Sequence, residues 1–173
     1  MADYNIEELN FSNKMLNQLP DLTLYKNVKV FSCSMNKLIV LDNLPSGLEI
    51  LYCSDNKITN LDNLPLNLIY LDCENNQITT LDNLPFGLEI LYCSNNTITN
   101  LDNLPLNLKY LDCDSNQITT LDNLPFGLEI LFCGNNKIIS LVNLPITLKE
   151  LFCNYPCTFD LPLHLKNLKI NYY

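Results

Sequence analysis

Arginine and tryptophan are both absent from this 173-residue chain, and all ten basic residues are lysines. Against 19 Asp and Glu they leave a formal charge of −9. Such a chain has too few cations to gain by displacing counterions from a phosphate backbone, so nucleic acid is not an expected partner. Anionic membrane surfaces would repel it. Glycine occurs only four times and histidine once, at His164. A Gly-rich phosphate loop cannot be built, and neither a Ser/His/Asp nor a Cys/His set can be assembled from the motifs present. No apolar run reaches the length of a membrane-spanning helix. The acidic start, Met-Ala-Asp-Tyr-Asn-Ile-Glu-Glu, lacks the basic and apolar segments of a secretion signal. Eight cysteines in that context are expected to be free thiols in an intracellular, reducing compartment.

What the chain does have is a period of twenty. Leu recurs at 41, 61, 81, 101, 121, 141 and 161, and Cys at 33, 53, 73, 93, 113, 133 and 153. Asn recurs at 36, 56, 76, 96, 116 and 136, and Leu-Pro ends each unit from Leu44-Pro45 to Leu144-Pro145. The unit from Leu48 reads LEILYCSDNKITNLDNLPLN, with the skeleton LxxLxCxxNxIxxLxNLPxx. A longer period of forty is superposed: segments 47–86 and 87–126 differ at only five of forty positions, as a duplicated two-unit block would.

This skeleton resembles the leucine-rich repeat family, whose signature LxxLxLxxNxL is matched in one unit by Leu48, Leu51, Cys53, Asn56 and Ile58. Cys53 stands where the family usually has Leu. The closing Leu61, Leu64 and Pro65 are similar to the short bacterial-effector type, and Asn-rich arrays of this kind also resemble proteins of giant viruses and amoebae. The resemblance implies a horseshoe-shaped solenoid with one parallel β-sheet on its concave side and a helix-poor convex side of turns and extended segments. Family members fused to ubiquitin-ligase domains carry the enzyme outside the repeats, so no enzyme is expected within them, and no cofactor is expected.

About eight coils are expected in a single domain, 1–173, starting at Ile6, Val28, Leu48, Leu68, Leu88, Leu108, Leu128 and Leu148. Residues 1–27 would cap the N-terminus, 28–147 hold the regular repeats, and 148–173 form a degenerate C-terminal cap with Lys166–Tyr173 as a closing segment. A strand is expected around Ile50–Ser54, with Leu51 and Cys53 inward and Ile50, Tyr52 and Ser54 outward. Twenty residues leave no room for a crossover helix, and the repeated prolines favour extended backbone. The Asn column is expected inward, bonding the backbone of its own turn and of the next coil.

The cysteine file lacks the clustered pairs of a zinc site, and parallel side chains do not point at one another, so small buried hydrophobes are expected. Cys157, off the file, is the one thiol expected to be accessible. The Asp42, Asp62, Asp82, Asp102 and Asp122 column reads as Asx turns, with calcium shared between adjacent coils as the alternative.

No core requirement accounts for the outward columns. Tyr52, Tyr70, Tyr92, Tyr110, Phe132 and Phe152 alternate there with Asp72, Glu74, Asp112 and Asp114. Aromatics gathered on one face mark a recognition surface, and the carboxylates favour a protein or peptide with a basic patch. An effector of a virus or intracellular parasite would use such a face. The same rings could instead stack along the sheet, in a structural protein that associates with its own copies.

Overall fold

The computed structural model describes residues 5–154, 165 and 168–172. Nine short strands form one sheet in chain order, β1 to β9, and every neighbouring pair is parallel. They are β1 Glu8–Asn10, β2 Val30–Ser32, β3 Ile50–Tyr52, β4 Tyr70–Asp72, β5 Ile90–Tyr92, β6 Tyr110–Asp112, β7 Ile130–Phe132, β8 Glu150–Cys153 and β9 Lys169–Tyr172. From β2 to β8 each Cα partner lies twenty residues on, as Leu51 to Leu71 and Leu71 to Leu91. The period of the sequence is therefore the period of the coil. No α-helix occurs among the described residues.

Two details differ from the sequence reading. The central strands are three residues long rather than five, because the backbone turns at Asp55, whose φ of 54° ends the extended run. The closing segment also contributes a strand: β9 pairs Glu150 with Lys169 and continues the sheet past the eighth coil.

Alternation along each strand sorts the side chains. The central strands are buried in the middle and half-buried at both ends. Leu51, Leu71, Leu91, Leu111 and Leu131 are fully buried, as are Cys53, Cys73, Cys93 and Cys113. Leu48, Ile58, Leu61 and Leu64 complete one coil's inward set at 7% exposure or less. A buried Leu or Ile contributes roughly 1.5–3 kcal/mol. One coil alone has no second layer against which to realise this, so the coils stabilise one another. The file begins with Leu9 on β1, and its second member is Phe31 in place of Leu, packed edge-on against Phe11 with ring centroids 5.9 Å apart.

The asparagine column closes the coils. Nδ2 of Asn96 donates to the carbonyls of Cys93, Ser94 and Cys73 at 3.1–3.2 Å, and its Oδ1 accepts from the Ile78 N–H at 2.9 Å. Asn56, Asn76, Asn116 and Asn136 repeat the pattern. The second coil reached is the preceding one, not the next as the sequence reading had it. An inward amide is suited to this because it satisfies donors and acceptors of a helix-free bend together.

One or two positions per coil take the left-handed conformation. Asp55, Asn75, Asn95, Ser115 and Asn135 precede the ladder asparagine, and Asn43, Asn63, Asn83 and Asn103 follow the Asp column. Asn and Asp tolerate this region better than other non-glycine residues, which accounts for much of the chain's asparagine. The glycines do not serve this purpose: none has a positive φ.

Candidate functional site

Strands β3 to β8 carry the candidate residues except Glu74 and Asp114, which stand two residues past the ends of β4 and β6, and the in-register stacking sets their spacing. Tyr52, Asp72, Tyr92, Asp112, Phe132 and Phe152 form one column of paired neighbours; Tyr70 and Tyr110 stand two residues earlier on alternate strands. Rings in the two columns meet diagonally. Centroids are 5.2 Å apart for Tyr52–Tyr70, 5.6 Å for Tyr70–Tyr92, 4.8 Å for Tyr92–Tyr110 and 5.7 Å for Tyr110–Phe132. Phe132 and Phe152, adjacent in one column, stack at 3.9 Å with planes 4° apart. The six rings thus make one unbroken row, and this contact leaves each of them half-buried instead of exposed. Burial raises the Tyr70 and Tyr110 hydroxyls far above the usual phenol range, with the neighbouring Tyr92 adding to both shifts.

The carboxylates fill the gaps in the row. Asp72 Oδ1 accepts from the Glu74 N–H at 3.2 Å and Asp112 Oδ1 from the Asp114 N–H at 3.1 Å. Glu74 takes the Ser94 hydroxyl at 2.9 Å, and Asp114 takes the Gly134 N–H at 2.6 Å. Desolvation raises the pKa of Asp72 and Glu74 and pushes Asp112 up to about 6, with Asp114 and Glu74 contributing like-charge repulsion at Asp112. The four ion pairs among the described residues lie at other positions: Lys29–Glu49, Lys109–Glu89, Lys149–Glu129 and Lys169–Glu150. The face therefore holds acidic groups in a partly dry setting.

Two supporting residues had little signal in the sequence. Ser94 and Gly134 stand in the outward column yet are buried, beneath the side chains of Glu74 and Asp114. Their place one coil on from an acidic residue is the only cue, and it has meaning only once the register is known.

The cysteine file is a row of buried thiols from Cys33 to Cys153. Sγ of Cys53, Cys73 and Cys113 donates to a carbonyl of the next coil at 3.1–3.2 Å. Burial raises the thiols of Cys33, Cys53, Cys73, Cys93 and Cys113 far out of the reactive range. Cys157 and His164 lie outside the described residues. The Asp column departs from the Asx-turn reading. Asp62, Asp82, Asp102 and Asp122 accept the side-chain amide of Asn83, Asn103, Asn123 and Asn143 in the next coil, at 2.6–3.3 Å. The Asx-type bond comes from Asn60 and Asn100, whose Oδ1 accepts the Asp62 and Asp102 N–H. Among the described residues no group of three or more His, Cys, Asp or Glu is placed to hold a metal ion.

Residues 86–126, the heart of this array, match the family described as Leucine Rich repeats (2 copies). The chain has the leucine-rich repeat fold. No curated protein sequence matches it. Among solved structures, the leucine-rich effector YopM from Yersinia pestis is 31% identical with a TM-score of 0.82, over 96% of this chain and 48% of that one. The leucine-rich repeat domain of a Shigella effector is 28% identical with a TM-score of 0.74, over 92% of this chain and 72% of that one. The functional domain of InlJ from Listeria monocytogenes, which includes a cysteine ladder, is 30% identical with a TM-score of 0.70, over 98% of this chain and 44% of that one. This chain spans less than half the length of the YopM and InlJ chains. Leucine-rich repeats are commonly used for protein–protein interaction, and these neighbours are effector and internalin proteins.

Proposed function

We propose that this chain is a non-enzymatic binding module that recognises a protein or peptide on the outward face of its sheet, in the manner of an effector acting within a reducing compartment. The observation that carries this reading is the unbroken row of six rings, from Tyr52 to Phe152, bordered on the same face by Asp72, Glu74, Asp112 and Asp114. Half-buried tyrosines offer apolar area at low entropic cost, with a hydroxyl for orientation. Carboxylates that are already partly desolvated lose less on complex formation, and a Lys or Arg from the partner would lower their raised pKa values. The reading therefore selects a partner with a basic patch and an affinity that rises with pH as Asp112 ionises.

Fluorescence anisotropy with length-matched basic, neutral and acidic peptides tests it. The basic set should bind, more weakly at high salt. Tyr92→Ala should weaken binding by about 2 kcal/mol, the hot-spot threshold. Asp72→Asn with Asp112→Asn should slow association and flatten the salt dependence. Equal binding of all three peptide classes would overturn the reading.

The continuity of the ring contacts supports a second function, a structural ladder. Each aromatic pair adds about 0.5–1.5 kcal/mol beyond its buried area. In that case Tyr92→Ala lowers the melting temperature sharply and leaves affinity for any partner unchanged.

A further inference from the structure

Every regular coil makes the same turn just before its strand. Leu48, Leu68, Leu88, Leu108, Leu128 and Leu148 each donate their N–H to the carbonyl of the proline three residues back, at 3.0–3.2 Å. The residue after that proline stands at the tip of the turn. In five successive coils it is large and apolar: Leu66, Phe86, Leu106, Phe126 and Ile146. These are 70%, 73%, 78%, 83% and 71% exposed, while the prolines and leucines that bracket them are buried. Turn geometry does not require them, since Ser46 fills the same place in an earlier coil. At about 4.8 Å per coil the five side chains form a stripe roughly 19 Å long, on a different part of the coil from the ring row.

The band around the stripe is uncharged. Segments 43–48, 63–68, 83–88, 103–108, 123–128 and 143–148 contain no Asp, Glu, Lys or Arg, in a chain whose net charge is −9. We propose that this rim is a homodimer interface, in which a second copy lays its own stripe antiparallel across a two-fold axis at Leu106. Three features select a second copy as the occupant. A charged partner would gain nothing from a band without charge, whereas two acidic chains can approach only where charge is missing. An identical solenoid also repeats at the same spacing, so contacts stay in step along the whole stripe. Finally, the order Leu-Phe-Leu-Phe-Ile reads the same in both directions except that Leu and Ile exchange at the ends: the axis sets Leu66 against Ile146, Phe86 against Phe126 and Leu106 against itself. Such a contact is self-complementary and closes at two copies.

The area fits. At roughly 100 Å² of apolar surface per such side chain, the stripe removes about 1,000 Å² from two copies. This is the apolar centre of an interface in the roughly 1,200–2,000 Å² class, with Asn63, Asn67, Asn103 and Asn107 as its polar border. Clefts beside Leu66 and beside Ile146, one at each end of the stripe, give the facing side chains somewhere to seat, the second walled on one side by the Glu129–Lys149 ion pair.

Sedimentation equilibrium of the full chain from about 1 to 100 µM, the range of a modest interface of this size, tests the proposal. The wild type should dimerise. Phe86→Ser with Phe126→Ser should raise the dissociation constant at least 100-fold while leaving the circular dichroism spectrum and melting temperature unchanged, since both rings are exposed. Tyr92→Ala should leave the dimer intact. With the wild type as background, Leu106→Cys should cross-link to itself through a short bismaleimide and Leu66→Cys should not. A wild type that stays monomeric throughout overturns the proposal, whether or not it binds phosphatidylcholine vesicles. So does a dimer lost with Tyr92→Ala but kept in the double Phe variant, and so does efficient cross-linking of Leu66→Cys alone.

Discussion

Replacing one ladder asparagine tests the inter-coil bonding most directly. Asn96 is 6% exposed and makes four hydrogen bonds to main chain. In Asn96→Ala the carbonyl of Cys73 keeps the amide of Asn76, that of Cys93 keeps Asn116, and that of Ser94 keeps the Asn75 N–H. The Ile78 N–H loses its acceptor inside the core, where water cannot replace it. One orphaned buried donor costs about 1–3 kcal/mol, and the missing amide adds a small void, so about 2 kcal/mol is expected. At this chain length that lowers the melting temperature by about 4–8 °C. Asn96→Asp should be worse at neutral pH although it is isosteric. It keeps the acceptor for Ile78 but turns an oxygen toward three carbonyls. Its carboxyl pKa in the folded state must then rise above the unfolded value of about 3.9. By linkage, this variant is most stable below that value and loses stability as pH climbs toward the folded pKa. Asn60→Ala, at an exposed site that caps only the Asp62 N–H, should cost less than about 0.5 kcal/mol. Urea unfolding followed by tyrosine fluorescence and circular dichroism measures all three. Equal losses at Asn96 and Asn60, or an Asp variant no worse than Ala at pH 7, would refute the hydrogen-bond accounting.

Two further outcomes follow from the site and the core. Asp112, with its pKa pushed up to about 6, binds a proton in the folded state where the unfolded chain has lost it; its contribution falls as pH rises from about 4 to about 6 and is fully adverse above that. Asp112→Asn should therefore raise the melting temperature at pH 7 and change it little at pH 4, and a uniform shift at both would show that desolvation is not the cause. The buried thiols from Cys33 to Cys153 should resist maleimide in the native protein and react together in denaturant, counted by intact mass; native labelling of several of them would overturn their core placement.

The twenty-residue spacing of Leu, Cys, Asn and Leu-Pro contained the fold, because a repeat that cannot bury its own apolar set must stack on its neighbours. It contained the inward file as well, since strand alternation fixes which side Leu51 and Cys53 take. Other properties depended on which atoms meet between coils. Asp62 could have capped its own turn from its position in the sequence, but stacking brings the Asn83 amide to it. Asn96 could have reached either neighbouring coil, and the handed stacking of the coils set the preceding one. The tyrosines read as exposed one at a time, and only the in-register sheet brings Tyr92 and Tyr110 within 4.8 Å and half-buries the row. Leu66, Phe86 and Leu106 look like ordinary members of a Leu-rich repeat until the turn after each proline holds them out in solvent. Periodicity is a property of one chain segment and can be read along it; contact between coils depends on register, which exists only when the segments are stacked.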